Sequence, residues 1–167
     1  MALEKSNHIS LDRARLLFRY EPETGRIINR TPRGRSKQGQ SAATKRRDGY
    51  FTVCVDCEFY LAHRLIWFIV TGCWPDQIDH IDLDRGNNRW ENLRNASVSQ
   101  NMANRKAHRD NSCGHKGVAF HPQTGKWRAR IYHNHKSHHI GLFVDLESAG
   151  RAYQEASFRF NGEFARA

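Results

Sequence analysis

Apolar residues recur every three or four positions across 11–20, with Leu11, Ala14, Leu17 and Phe18 on one face. That period predicts a helix, and Ser10 is placed to cap it. Residues 21–25 (EPETG) read as a turn, and 26–29 as the start of a strand. Residues 50–60 are rich in Val, Phe and Tyr and predict a hairpin turning near Val55-Asp56. A buried helix follows over 61–71, with Gly72 where a C-terminal cap belongs and Pro75 just beyond. A short strand then ends in Ile78-Asp79-His80, a polar loop covers 83–91, and a second short strand lies around 93–95. Ser97 or Ser99 caps a helix running to about Ala107.

From Gly117 onward the pattern switches to three strands and a helix. Residues 126–132 (KWRARIY) alternate strictly: Trp127, Ala129 and Ile131 share one face, and Lys126, Arg128, Arg130 and Tyr132 share the other. Val118 and Phe120 before it, and Ile140 and Leu142 after it, supply matching apolar faces. Asp145 caps a helix over 146–160 whose stripe of Leu146, Ala149, Ala152, Tyr153, Ala156 and Phe160 covers the apolar side of the sheet. The opposite side is left basic. Trp127 and Tyr153 are expected in the core.

Charge sharpens this picture. The 167 residues carry 27 Lys and Arg against 17 Asp and Glu, a net charge of +10, which favours a polyanionic partner, above all nucleic acid. Residues 30–47 are basic, contain no acid, and suit phosphate contact or a solvated surface. The N-terminal residues lack an apolar signal core, and the longest apolar run, 65–70, is far too short to span a bilayer. The expectation is a cytoplasmic protein, neither secreted nor in a membrane. Cys54 and Cys57 form a C-x-x-C, but Cys73 and Cys113 are too scattered to complete a four-ligand structural zinc site.

Candidate chemistry concentrates in Asp79-His80, Asn92 and Asn101. A carboxylate beside a histidine at a strand end can offer oxygen to a hard divalent cation while the imidazole takes a proton from water. The amide oxygen of Asn101, on the helix behind, can reach the same cation. Residues 61–106, with the segments IDHID, NNRWENLR and SQNMANR, resemble the HNH endonucleases of phages and mobile introns. YEPETG resembles the lead-in of phage members. The resemblance implies a ββα-metal fold, His80 as general base, and Asp79 and Asn101 as metal ligands. Asn92 completes the catalytic constellation by bracing the loop. Asn101 in place of a final histidine favours one Mg2+ or Mn2+ over zinc. Asn104 and His108 are further ligand candidates, Arg105 is a phosphate clamp or plain surface charge, and His63 is expected to pack rather than catalyse. The family implies hydrolysis to a 5′-phosphate and a 3′-hydroxyl; a monomer has one such site and is expected to nick one strand, and a double-strand break needs a homodimer or two successive events.

Residues 117–165, through GVAF, GKWRARI, IGLF and AGRAYQEASFRFNGEFA, resemble the plant APETALA-two (ethylene-response-factor) DNA-binding domain. That likeness implies a sheet reading double-stranded DNA in the major groove. Its expected contacts are Lys116, His121, Arg128, Arg130, Tyr132 and His139, with the two arginines as base readers. The expected whole is an α+β protein: an N-terminal helix and basic arm (1–48), a ββα-metal nuclease domain (49–108), a linker (109–116), and a three-stranded antiparallel sheet on one helix (117–167). Two other readings remain open: a non-cleaving DNA-binding regulator with a decayed site, and an RNA-binding module.

Overall fold

The computed structural model describes residues 9–105, 111, 113–134 and 136–166. The chain divides into two compact units, Met1–Asn95 and Ala96–Ala167, and among the described residues four helices and several small sheets make up its mixed α and β structure.

In the first unit, helix α1 (Leu11–Leu17) is capped by Ser10, whose side chain accepts from the Arg13 N–H. The helix was expected to reach residue 20, but it stops at Leu17. Phe18–Glu21 instead form strand β1, paired antiparallel with β2 (Arg26–Asn29). Helical periodicity in Leu17-Phe18 is overridden by this pairing, a tertiary effect that local propensity does not contain. A three-stranded sheet follows in the order β3-β4-β5, from Ala43–Lys45, Phe51–Val55 and Glu58–Leu61. Asp56 and Cys57 both take positive φ and close the two-residue β4–β5 turn, as such turns require. Helix α2 (Ala62–Thr71) ends at Gly72, which is left-handed at φ 79°. The core joins Ala14, Phe18 and Ile27 to Val53, Leu65 and Ile66. Residues 9–48 thus share a unit with residues 49–95 of the expected nuclease segment, whose residues 96–105 fall in the second unit. Strands β6 (Gln77–His80) and β7 (Leu93–Ala96) make a two-stranded sheet, with a 3-10 turn at Trp90–Asn92 leading into β7.

The second unit opens with helix α3 (Val98–Asn104). Of the two serines, Ser97 is its cap, in a capping box with Gln100. The helix ends earlier than Ala107, because Arg105 is already extended. His108, like residues 109, 110 and 112 of the expected linker, lies outside the described residues.

Strands β8 (Val118–His121), β9 (Lys126–His133) and β10 (Lys136–Phe143) form an antiparallel sheet in the order β10-β9-β8. Helix α4 (Leu146–Asn161), capped by Asp145, shares its core: Val118, Ala129, Ile131, Ala149 and Tyr153, with Trp127 packed alongside. One expectation fails here. Ile140 and Leu142 were placed on one face, but the register shifts between His139 and Gly141. The bulge reverses the alternation, so Phe143 joins the core while Leu142 faces outward opposite Arg128. Phe120 also stays 52% exposed at the sheet edge, edge-on to Trp127.

Gly117 is held at φ +71°, where an added Cβ would run into the Tyr153 ring and lie 2.5 Å from the Arg130 carbonyl oxygen. Gly117→Ala should cost about 2–4 kcal/mol, combining left-handed strain with overpacking. Gly125→Ala, at φ +65° with open space around it, should cost only about 1–2 kcal/mol from strain alone. Calorimetric unfolding of the two variants checks this ordering.

Candidate active site

The end of β6 delivers two adjacent residues into the first unit's interior: Asp79 is 3% and His80 5% exposed. Adjacent strand residues point to opposite sides, so each meets its own partners. Asp79 faces Arg94 on β7, whose Nε and Nη2 donate to Oδ2 at 2.9 and 2.7 Å. His80 faces Asn88, with Nε2 3.2 Å from Oδ1. With the proton on Nε2 donating to that oxygen, the basic lone pair is that of Nδ1. Burial holds the His80 imidazole below its ordinary pKa, against the opposing pull of Asn88 and the Asp82, Asp79 and Asp84 carboxylates. The ring is therefore neutral at neutral pH, as a proton acceptor must be.

The loop after His80 is tied by side chains. Asn92 accepts from the Asp82 N–H at 3.0 Å and donates to Asp82 Oδ1 at 2.9 Å and to the Asn87 carbonyl at 2.8 Å. The Asn92 carbonyl accepts from the Ile81 N–H at 3.0 Å, so one residue at the loop's end binds the backbone at its beginning. Asp82 also accepts from the Asp84 N–H and from Asn87. Burial raises its pKa, but these hydrogen bonds outweigh it and the net shift is downward.

The loop's far side rests on the β1–β2 hairpin. The Tyr20 hydroxyl donates to the Asn88 carbonyl at 2.8 Å, Arg89 Nε to the Glu23 carbonyl at 2.9 Å, and the Trp90 N–H to the Pro22 carbonyl at 3.1 Å. Gly25, at φ +72°, would bring a Cβ within 2.6 Å of the Asn88 and Arg89 backbone, so only glycine allows so close an approach. Burial raises Tyr20 to a pKa of about 12, so its hydroxyl stays a donor. YEPETG is thus the backing of the His80 loop. Sequence reasoning missed Asn88 and Arg94, although both lie inside the quoted NNRWENLR segment.

His63, on α2, is 5% exposed and packs edge-on to His80 with ring centroids 5.0 Å apart, as expected of a packing residue. Tyr50 lies 5.2 Å from it and 6.0 Å from His80. Burial first, then the charges of His80 and Arg64, drive the His63 pKa down to about 3. Its buried Nδ1 has no hydrogen-bond partner among the described residues.

Among the described residues, no group of three or more His, Cys, Asp or Glu is arranged to hold a metal ion. Cys54 and Cys57 are exposed free thiols on the β4–β5 hairpin. Asn101, half-buried on α3, belongs to the second unit.

In that unit, pairing register sets the outward face of the sheet. His121 lies opposite Lys126, Arg128 lies between Ala119 and Leu142, Arg130 is opposite His139, and Tyr132 is opposite Ser137. Arg130, Tyr132 and His139 are exposed, while Arg128 is half-buried with its Nε enclosed and unpartnered. His121 Nδ1 lies 3.0 Å from the Thr124 hydroxyl. Lys116 is engaged elsewhere: its ammonium donates to the Ala103 and Arg105 carbonyls at the end of α3. Burial, with Arg166 and Arg105, lowers its pKa to about 8. Arg105 is exposed at the C-cap of α3.

Residues 60–103 match the family model described as HNH endonuclease. Over 114 residues the chain is 31% identical to protein 3.8 of Escherichia phage T7, an alignment covering 65% of this chain and 93% of that protein. The chain belongs to the protein 3.8 family and contains an HNH endonuclease domain. This protein 3.8 relative is also similar to plant proteins. It is 43% identical over 54 residues to an AP2/ERF and B3 domain-containing protein of Oryza sativa subsp. japonica, covering 32% of the chain and 14% of that protein. It is 34% identical over 58 residues to APETALA2-like protein 2 of Oryza sativa subsp. indica, covering 35% and 13%. The chain therefore spans a small part of these plant relatives. No solved structure matches it. No helix among the described residues is long and apolar enough to cross a membrane.

The buried neutral His63 makes stability pH-dependent. Its folded pKa of about 3 lies below the unfolded value near 6.5, so the unfolded chain binds the extra proton between those values and stability falls as pH falls through that window. At pH 5 the penalty relative to pH 7 should be about 2 kcal/mol. Thermal melts between pH 7 and pH 5 should show a shallower decline for His63→Phe than for wild type.

Proposed function

We propose that this protein is a metal-dependent DNA endonuclease that hydrolyses a phosphodiester bond at His80 and is targeted by its C-terminal sheet. The observation that carries the reading is the buried, neutral His80, with Nε2 directed at Asn88 and a carboxylate, Asp79, next to it in the chain. His80 Nδ1 takes a proton from water, whose oxygen forms the new bond to phosphorus. The bond from phosphorus to the 3′-oxygen breaks, leaving a 5′-phosphate and a 3′-hydroxyl that takes its proton from solvent. Asn88 fixes the tautomer and orientation of His80, and Asn92 keeps the loop that presents Asn88 in register with β6. Arg94 holds the Asp79 carboxylate in one position.

The carboxylate of Asp79, steadied by Arg94, would suit a hard divalent cation, Mg2+ or Mn2+, better than zinc, and the amide oxygen of Asn101 is a donor of the same hard character. Such an ion supplies neutralisation of charge on the scissile phosphate and the leaving oxygen. We read β6, β7 and α3 as the ββα-metal motif that the resemblance implies, with Arg105 at its end as a phosphate contact.

Targeting falls to the outward face of β8–β10. The plant similarities span 54 to 58 residues, about the size of that sheet with α4. Arg128 and Arg130 read base edges, with His121, Tyr132 and His139 around them. The ammonium of Lys116 already serves α3, so it contributes by holding that helix end in place and adds a DNA contact only at the margin. We read the protein as cytoplasmic, acting on double-stranded DNA as a monomer that nicks one strand.

Incubation of supercoiled plasmid and of phage or host genomic DNA with Mg2+ or Mn2+ tests this. Wild type should yield nicked circles, while His80→Ala binds the DNA and lowers the rate by about 10²–10⁴-fold, the usual contribution of a general base. Tight binding by both proteins without cutting of any substrate would replace this reading with that of a DNA-binding regulator.

A further inference from the structure

Seven of the residues from Arg30 to Tyr50 are basic, and Asp48 is the one acid among them. Most of the basic side chains on the 30–42 loop point into solvent or, like Arg30 and Arg33, donate to backbone carbonyls. The C-terminal part of the run is different, because it adjoins the catalytic loop. The turn between β3 and β4 is closed by the Arg46 N–H donating to the Tyr50 carbonyl at 2.7 Å and the Gly49 N–H donating to the Arg46 carbonyl at 3.2 Å. Arg85, from the loop after His80, donates to the Asp48 carbonyl at 3.1 Å, and its guanidinium lies 4.9 Å over the Tyr50 ring. The same Tyr50 ring is 6.0 Å from that of His80. Arg46 pairs with Asp48 at 3.1 Å, the one acid of that run, while the exposed Asp82 and Asp84 flank Arg85 on the loop. Lys45, Arg47 and Arg85 remain exposed around a turn joined through Tyr50 to the His80 ring.

We propose that Lys45, Arg47 and Arg85 form a phosphate-gripping ledge for duplex DNA on the catalytic unit itself, distinct from the sheet of the C-terminal unit. The proposal rests on the nuclease reading for its choice of partner. A strand whose phosphate sits at His80 is too strongly charged to pass a basic ledge joined to that site without contact, and each contact releases condensed counterions. The flat Arg85–Tyr50 stack gives the ledge a pre-set end, because the guanidinium keeps donors available while its face is held by the ring. The ledge reads no sequence. It adds affinity for the backbone beside the imidazole, in ground state and transition state alike, and the sheet decides which sequence is brought there.

The test uses the full chain carrying His80→Ala, so that DNA is bound and not cut, with a 30-base-pair fluorescent duplex titrated from about 50 to 200 mM salt, the range over which phosphate neutralisation is read most clearly. Adding K45Q/R47Q/R85Q should reduce the slope of log affinity against log salt by about 2–3, at roughly 0.9 for each phosphate no longer neutralised. A charge-matched R19Q/R26Q/R151Q set, placed on other exposed arginines, should move the slope by less than about 1. Should the Arg85 change disturb folding, K45Q/R47Q alone should still lower the slope by about 2. In the cutting-competent chain the ledge variant should raise KM for plasmid about tenfold while leaving kcat within about twofold, the pattern expected when ground state and transition state are bound less tightly by the same amount. An unchanged slope, or an equal change in the matched set, overturns the ledge. Wild type that binds but never cuts overturns the nuclease reading while leaving the slope measurement readable, so the two failures are separable.

Discussion

The first unit is organised around one problem: a mostly polar loop, residues 81–91, must hold a histidine and its partner in fixed relation although its apolar residues are Ile81, Leu83 and Trp90, of which Trp90 packs against the core. Asn92 supplies the constraint by bonding the backbone at the loop's start and Asp82 at once. Each bond is a modest contribution, on the order of 1 kcal/mol, but the three act on the same few residues and leave the loop little freedom. The buried ion pair of Asp79 with Arg94 adds little net stability and much geometry, since a lone charge at that depth would cost several kcal/mol. What the loop lacks in hydrophobic anchoring it obtains from the β1–β2 hairpin, whose carbonyls and tyrosine hydroxyl meet residues 88–90 directly.

Local chemistry made much of the fold legible. Ser10, Ser97 and Asp145 cap helices because their side chains satisfy the first free N–H groups, and Gly72 ends one because it tolerates left-handed φ. The alternation in KWRARIY was enough to assign both faces of β9. What escaped depended on partners distant in sequence. Leu17-Phe18 obeys a helical period, yet Phe18 is drawn into a strand by the pairing of β1 with β2 across the hairpin. The bulge beyond His139 sits beside Gly141, a glycine inside a strand pattern of the kind that marks bulges, and it exchanged Leu142 for Phe143 in the core.

The candidate site was readable to the same degree. Asp79, His80 and Asn92 stand out because of their types and order, and the structure gathers them around one loop. Asn88 and Arg94 do not stand out, since an asparagine among asparagines and an arginine on a short strand are ordinary surface residues until the pairing of β6 with β7 brings them inward. Asn101 lies in the second compact unit, so its part in the site rests on chain order and donor chemistry.

The close approach of Gly25 to residues 88 and 89 bears on how such a protein can be rearranged. An HNH segment copied without the residues before position 60 would carry His80 on a loop with nothing behind it, its peptide groups at 88–90 turned toward water instead of toward Tyr20, Pro22 and Glu23. Recombination between relatives therefore has its tolerated joint beyond residue 105, since one at residue 95 would cut strand β7 and part α3 from the matched segment. A joint near residue 48, which composition alone suggests, would cut through a shared core. The matched HNH segment depends on a length of chain roughly twice its own.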